Sequence, residues 1–166
     1  IAVLNDEYVA IALAMETLEE ANSELQNRFA PQLGQRAAEL FSLLTDGAYS
    51  DVALDRSFHL AAAPAGDPIR RDAQLLSAGA GGQLYLAVRL AVCELVLPRE
   101  DAPPLVLDDA LADFDDRRCR IALRLLKEEA KRRQILLFTC HSREAAFFDG
   151  DPEVSVQRLT NSAQEV

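Results

Sequence analysis

The amino-acid sequence predicts an α/β fold in which parallel strands are flanked by helices, preceded by a coiled-coil helix. Three observations carry this expectation. Short apolar runs at 105–107 and 135–139 alternate with helical patterns, as strands of a parallel sheet covered on both faces do. A heptad-spaced apolar seam runs through residues 4–29. The length, 166 residues, is enough for one real core plus an appendage.

The elements follow in order. Leu4, Tyr8, Ile11, Met15, Leu18, Asn22, Leu25 and Phe29 alternate spacings of four and three. That is a coiled-coil seam, with Asn22 as a polar position that fixes register; an amphipathic helix packed on its own domain is the plain alternative. Pro31 is expected to interrupt or restart the helix, because it has no N–H to give. This separates a coiled-coil arm at 1–30 from a domain at 31–166. A second amphipathic stretch uses Leu33, Ala37, Leu40, Phe41 and Leu44, and Asp46-Gly47 ends it as a turn. Alternating runs at 51–55 and 57–63 read as a hairpin, followed by the loop Ala65-Gly66-Asp67-Pro68. An apolar helix is expected at 83–97, a strand at 105–107, a charged helix at 116–133 and a strand at 135–139. A short helix and a last strand at 154–159 complete the chain.

Composition narrows the function classes. A net charge of -10 excludes a surface that binds DNA all over. Nucleic-acid contact would need a local patch such as Arg70-Arg71 or Lys131-Arg132-Arg133, or a partner. Cys93, Cys119 and Cys140 form no C-x-x-C pair and sit in apolar stretches. They read as reduced core thiols in a reducing, cytoplasmic compartment. No apolar run is read as membrane-spanning, so no membrane partner is expected. The chain begins at Ile1 and not at Met, and reads as a fragment.

Three segments could carry chemistry. Asp108-Asp109 stands at the carboxyl end of a strand, where ligands bind open α/β sheets. One carboxylate there can hold Mg2+ and its neighbour can orient or deprotonate water. The alternative, that one of them caps the next helix, is weakened because Asp113, Asp115 and Asp116 lie closer to it. Leu76-Ser77-Ala78-Gly79-Ala80-Gly81-Gly82-Gln83 precedes a helix. Small residues let backbone N–H groups approach an anion at a helix start, although a lone glycine-rich stretch is more often an ordinary turn. His141 follows the second strand, where an imidazole could meet a phosphate or the attacking water. His59 carries no such reading.

In this order, the segments resemble the C-terminal half of a P-loop, ABC-type ATPase head. Leu76 to Gly79 looks like the LSxG signature loop. Asp108 matches the Walker B magnesium aspartate, and Asp109 the position of the catalytic glutamate. Asp115 matches the D-loop aspartate and His141 the switch histidine. Gln83 to Ala91, with Pro31, Phe41, Leu44-Thr45, Gly47 and Tyr49, resembles SMC-like proteins of the SbcC and YhaN type, over most of residues 29–160.

The resemblance implies two heads closed around two ATP molecules. Asp108 would support Mg2+, while Asp109 and His141 would be catalytic. Ser77, Gly79, Gln83 and Asp115 would contact nucleotide across the dimer. No G-x-x-x-x-G-K-[ST] occurs in these residues, so an N-terminal lobe carrying Walker A is an implied partner. A second copy of the head, DNA and a nuclease subunit are the others. The implied process is DNA repair or chromosome maintenance. An ABC-type lobe serving another process, and a scaffold that has lost catalysis, remain the alternatives. Two departures bear on this: Asp109 stands where a glutamate is usual, and Ala80-Gly81-Gly82 leaves the signature loop bare.

Overall fold

The computed structural model describes residues 2–55, 59–97 and 102–159, with the side chains of 2–6, 25 and 26 left aside. The chain forms two compact units, Ile1–Leu97 and Pro98–Val166.

The first unit is built on α1 (Ala2–Leu44), a single helix of 43 residues. Pro31 lies inside it and does not break it, contrary to the sequence expectation. Pro31 and Asn27 both face solvent, so water can take the carbonyl that loses its N–H partner. The second half of α1 buries Leu33, Ala37, Leu40, Phe41 and Leu44, the five positions its periodicity marks. Asp46 (φ 56°) and Gly47 (φ 80°) then reverse the chain in the left-handed region, and Gly47 donates its N–H to Ser42 O at 2.8 Å. This caps the helix end.

β1 (Tyr49–Leu54) and β2 (Leu60–Pro64) pair antiparallel, as expected of the hairpin. Ser57 and Phe58 of that reading lie outside the described residues. β3 (Arg71–Asp72) adds a short third strand beside β2, which the sequence did not signal. α1 packs on β1. A Cβ built at Gly34 would lie 3.4 Å from Val52 O, at the inner edge of ordinary contact. A short 3-10 turn (Ala73–Leu75) leads to α2 (Ala78–Val96).

α2 starts five residues before the expected 83. Its 19 residues are long and apolar enough to cross a membrane by length and composition alone, which corrects the earlier reading of the sequence. Here Ala80, Leu84, Leu86, Ala87, Leu90 and Ala91 are buried in the core, and α2 packs along α1. Arg36 ties the two helices together, with Nε and Nη2 on the Glu94 carboxylate at 2.6 and 3.0 Å.

The second unit contains β4 (Leu105–Asp108) and β5 (Ile135–Phe138), paired in parallel with Asp108 opposite Phe138. Between them runs α3 (Asp116–Glu129), which ends four residues before the expected 133. α4 (Ser142–Phe147) follows β5. Two expectations fail here. The strands are not covered on both faces: Leu105 and Leu107 are buried, but Val106, Leu136 and Phe138 are 46%, 39% and 47% exposed. No strand forms at 154–159, because neither β4 nor β5 pairs with it among the described residues. A strand without a ladder partner leaves its backbone groups to water.

Candidate functional site

In the second unit, the site is built where the two parallel strands end. Asp108 closes β4, and its exposed carboxylate points to no partner among the described residues. Asp109 is the next residue and turns the chain with φ 43°, in the left-handed region. Aspartate tolerates that conformation better than most residues. Two bonds fix it across the strand ends. Its N–H donates to Phe138 O at 2.9 Å, and its Oδ1 accepts the N–H of Cys140 at 3.0 Å. The carboxylate that follows β4 is therefore held against the residue beside His141. His141 itself is half-exposed and begins α4 without a side-chain capping bond. Its N–H donates to Thr139 Oγ1 at 3.0 Å. Of the sequence-predicted residues, the structure thus joins Asp108, Asp109 and the His141 segment at one edge.

Asp115 has a different occupation. It is the N-cap of α3, its Oδ1 accepting the N–H of Arg118 at 2.9 Å, and it remains exposed. The capping role that the sequence reading shared among three aspartates falls to this one.

The signature-like segment belongs to the first unit. Ser77 is exposed and caps α2, its Oγ accepting the N–H of Ala80 at 3.3 Å. A serine hydroxyl that accepts in a cap still has a proton to donate outward. Gly79, half-buried, lies in the first turn, where backbone N–H groups have no acceptor within the helix. Ala78 to Gly82 are therefore helical and not the bare loop expected. Gln83 changes role with them. It is 0% exposed and donates its amide to Leu44 O at 3.3 Å, so it ties α2 to the end of α1.

The donor set at the strand ends suits Mg2+. No group of three or more His, Cys, Asp and Glu side chains capable of holding a metal is found among the described residues. Mg2+ needs no such cage, since one or two carboxylates with phosphate oxygens and water complete its shell. Asp108, exposed and uncommitted, is the residue that could hold it.

No family model matches the sequence. The uncharacterized protein YhaN of Bacillus subtilis is 35% identical over 112 residues, covering 67% of this chain. The chain spans only 12% of that relative's length. A solved structure concerned with ATP-driven dimerization and DNA-stimulated activation of SMC ATPases superimposes with a TM-score of 0.61, at 22% identity, over 76% of this chain and 77% of its own. The Smc head domain of Pyrococcus yayanosii, solved with a coiled coil and joint, gives 0.63 at 22% identity over 87% of this chain and 28% of its own.

The chain has the fold of an SMC head.

Within the SMC head fold, the sequence reading passed over two residues at the strand ends. Cys140 supplies the N–H that holds Asp109, and it is exposed and not the core thiol expected. Partial desolvation raises its thiol above the ordinary value and the Asp109 carboxylate adds to the shift, so it stays protonated beside that carboxylate. Arg143, in the first turn of α4, reaches back to the turn after β4. No periodicity signals a backbone donor or a surface arginine; only the fold brings them to the aspartates.

Proposed function

We propose that this chain is the C-terminal lobe of an ATP-hydrolysing SMC-like head that closes as a dimer around ATP. The observation that carries the reading is the bond from Cys140 N–H to Asp109 Oδ1. It puts an acidic pair and a histidine-bearing turn at the carboxyl edge of a parallel sheet, where α/β proteins bind ligands. Asp108 would hold Mg2+, which neutralises charge on the phosphates and bridges their oxygens. Asp109, already accepting one hydrogen bond, keeps a second oxygen to orient or deprotonate water. His141 would donate to the γ-phosphate.

Ser77 and the first-turn N–H groups of α2 would meet the γ-phosphate held by the opposite head. ATP then favours the closed dimer, and hydrolysis releases it, because the differential contact is with the phosphate that leaves. The N-terminal lobe would supply Walker A. The exposed seam of α1 supports an arm that pairs with another helix and connects the head to DNA. A cytoplasmic role in DNA repair or chromosome maintenance fits this arrangement and the free thiols.

The test is Asp109→Asn in the full-length protein. The expected result is a fall in kcat of about a hundredfold or more, the loss of a general base, with ATP-dependent dimers retained. A parent protein that binds ATP and dimerises but hydrolyses none would replace this reading with that of a scaffold.

A further inference from the structure

Arg143 makes more contacts to one backbone segment than any role in the strand-end site requires. Its Nη2 donates to the carbonyl oxygens of Leu111, Phe114 and Ala112 at 3.1, 2.8 and 3.4 Å, and its Nη1 donates to Asp116 Oδ1 at 3.1 Å. Arg143 lies two residues after His141, while its three carbonyl acceptors lie in the turn that runs from Asp109 to the α3 cap at Asp115 and its carboxylate partner, Asp116, is the first residue of α3. That turn is otherwise held by few bonds of its own. Ala112 N–H donates to Asp109 O at 3.1 Å and Phe114 N–H to Leu111 O at 3.1 Å. Carbonyls that converge on one side of a turn repel one another, and a guanidinium with its fixed fork of donors satisfies several at once. A lysine ammonium is a point donor and cannot span them all.

We propose that Arg143 is a positioning residue: it locks the 109–115 turn to the His141 segment, so that the two move as one body when a γ-phosphate engages. The proposal rests on the hydrolytic reading above and adds a residue that touches neither nucleotide nor metal. One end of the locked turn is Asp109, whose left-handed backbone is kept by its surroundings. The other is Asp115. Freeing the turn would let both carboxylates drift while the strands beneath stay paired.

The experiment compares the full-length parent with Arg143→Lys and Arg143→Gln, reading ATPase kinetics and backbone hydrogen exchange. In Arg143→Gln, kcat should fall about tenfold, the scale of effect a small misplacement of reacting groups produces. KM for ATP should stay within about twofold, because no nucleotide contact is removed. Amides of residues 110–116 should exchange faster while those of β4 and β5 keep their protection. Arg143→Lys should fall between the two in both measures. Unchanged exchange at 110–116, or unchanged kcat once that exchange has risen, overturns the proposal. So does loss of protection throughout β4 and β5, since Arg143 would then serve the fold as a whole. A parent without ATPase activity overturns the hydrolytic reading and the catalytic half of this one. An active parent with unaltered variants overturns this proposal alone.

Discussion

Asp109 concentrates what is unusual at the residue scale. It is an exposed side chain with a left-handed backbone, and its carboxylate takes one hydrogen bond across the strand ends. Asparagine tolerates the same backbone and keeps an oxygen to accept with. Asp109→Asn should therefore leave unfolding free energy within about 0.5 kcal/mol of the parent. Asp109→Ala should cost about 1–2 kcal/mol, the strain of a Cβ residue in that region plus the lost bond. Urea denaturation of both variants separates the two effects. Gln83 shows the limit of reading such residues from sequence. Its position after a glycine run suggests a phosphate neighbour. Once α2 starts at Ala78, however, Gln83 falls on the stripe of Ala80, Leu84, Ala87 and Ala91, at the spacing of one helix face. The stripe was visible in the sequence; the helix start that puts Gln83 on it was hidden by three glycines.

At the scale of elements, glycine also makes a forecast. A Cβ added at Gly81 meets nothing within 4 Å, and its backbone is not in the left-handed region. Gly81→Ala should stabilise the folded protein by about 0.5–1 kcal/mol, because alanine gives up less backbone freedom in a helix. A thermal melt would register it as a higher midpoint. α3 is tethered at its last turn by Lys127, which pairs with Asp151 and, at 3.1 Å, with Glu153. The hydrogen bond from Lys127 holds the Asp151 carboxyl below its ordinary value. A carboxylate depressed in the folded state stabilises it above the unfolded pKa, and the contribution is lost as pH falls through the lower folded one. The effect is thus present at neutral pH and fades below about pH 4. Denaturation midpoints measured from pH 7 down to pH 3 should fall less steeply for Asp151→Asn than for the parent.

The strands show how much of an element is legible. Their apolar runs located β4 and β5 to within a residue, and the wholly apolar pattern predicted a parallel pair. The same pattern overstated their cover. Leu105 and Leu107 face the core, whereas Val106, Leu136 and Phe138 share an open face. A run of apolar residues records what a strand tolerates on both sides, not whether this length of chain supplies both layers. Val154–Leu159 failed for a related reason, since alternation cannot provide the neighbouring strand that pairing requires.

Considered as a whole molecule, the chain leaves an apolar seam open along the first half of α1. Tyr8, Ile11, Met15 and Leu18 stand 72%, 61%, 57% and 69% exposed along α1, on the seam that the heptad spacing marks; Leu4 and Leu25 of that seam lie outside the described side chains. Side chains with nothing against them contribute little to the fold that bears them. Replacing Ile11 and Leu18 together with serine should shift unfolding of the full-length protein's head by less than about 0.5 kcal/mol. The same pair should weaken association of the arm with a second helix, which cross-linking of engineered cysteines across the seam would detect. A single sequence revealed the seam because its spacing is local; what lies against it is written elsewhere.

The double attachment of α2 to α1 has a mechanical consequence. Gln83 grips the last turn of the long helix, and Glu94, three turns further along α2, grips Arg36. Sliding one rod past the other by a single helical pitch, about 5.4 Å, would sever both grips together. A pull or torque arriving along α1 would therefore have to break both contacts before the rods could slip.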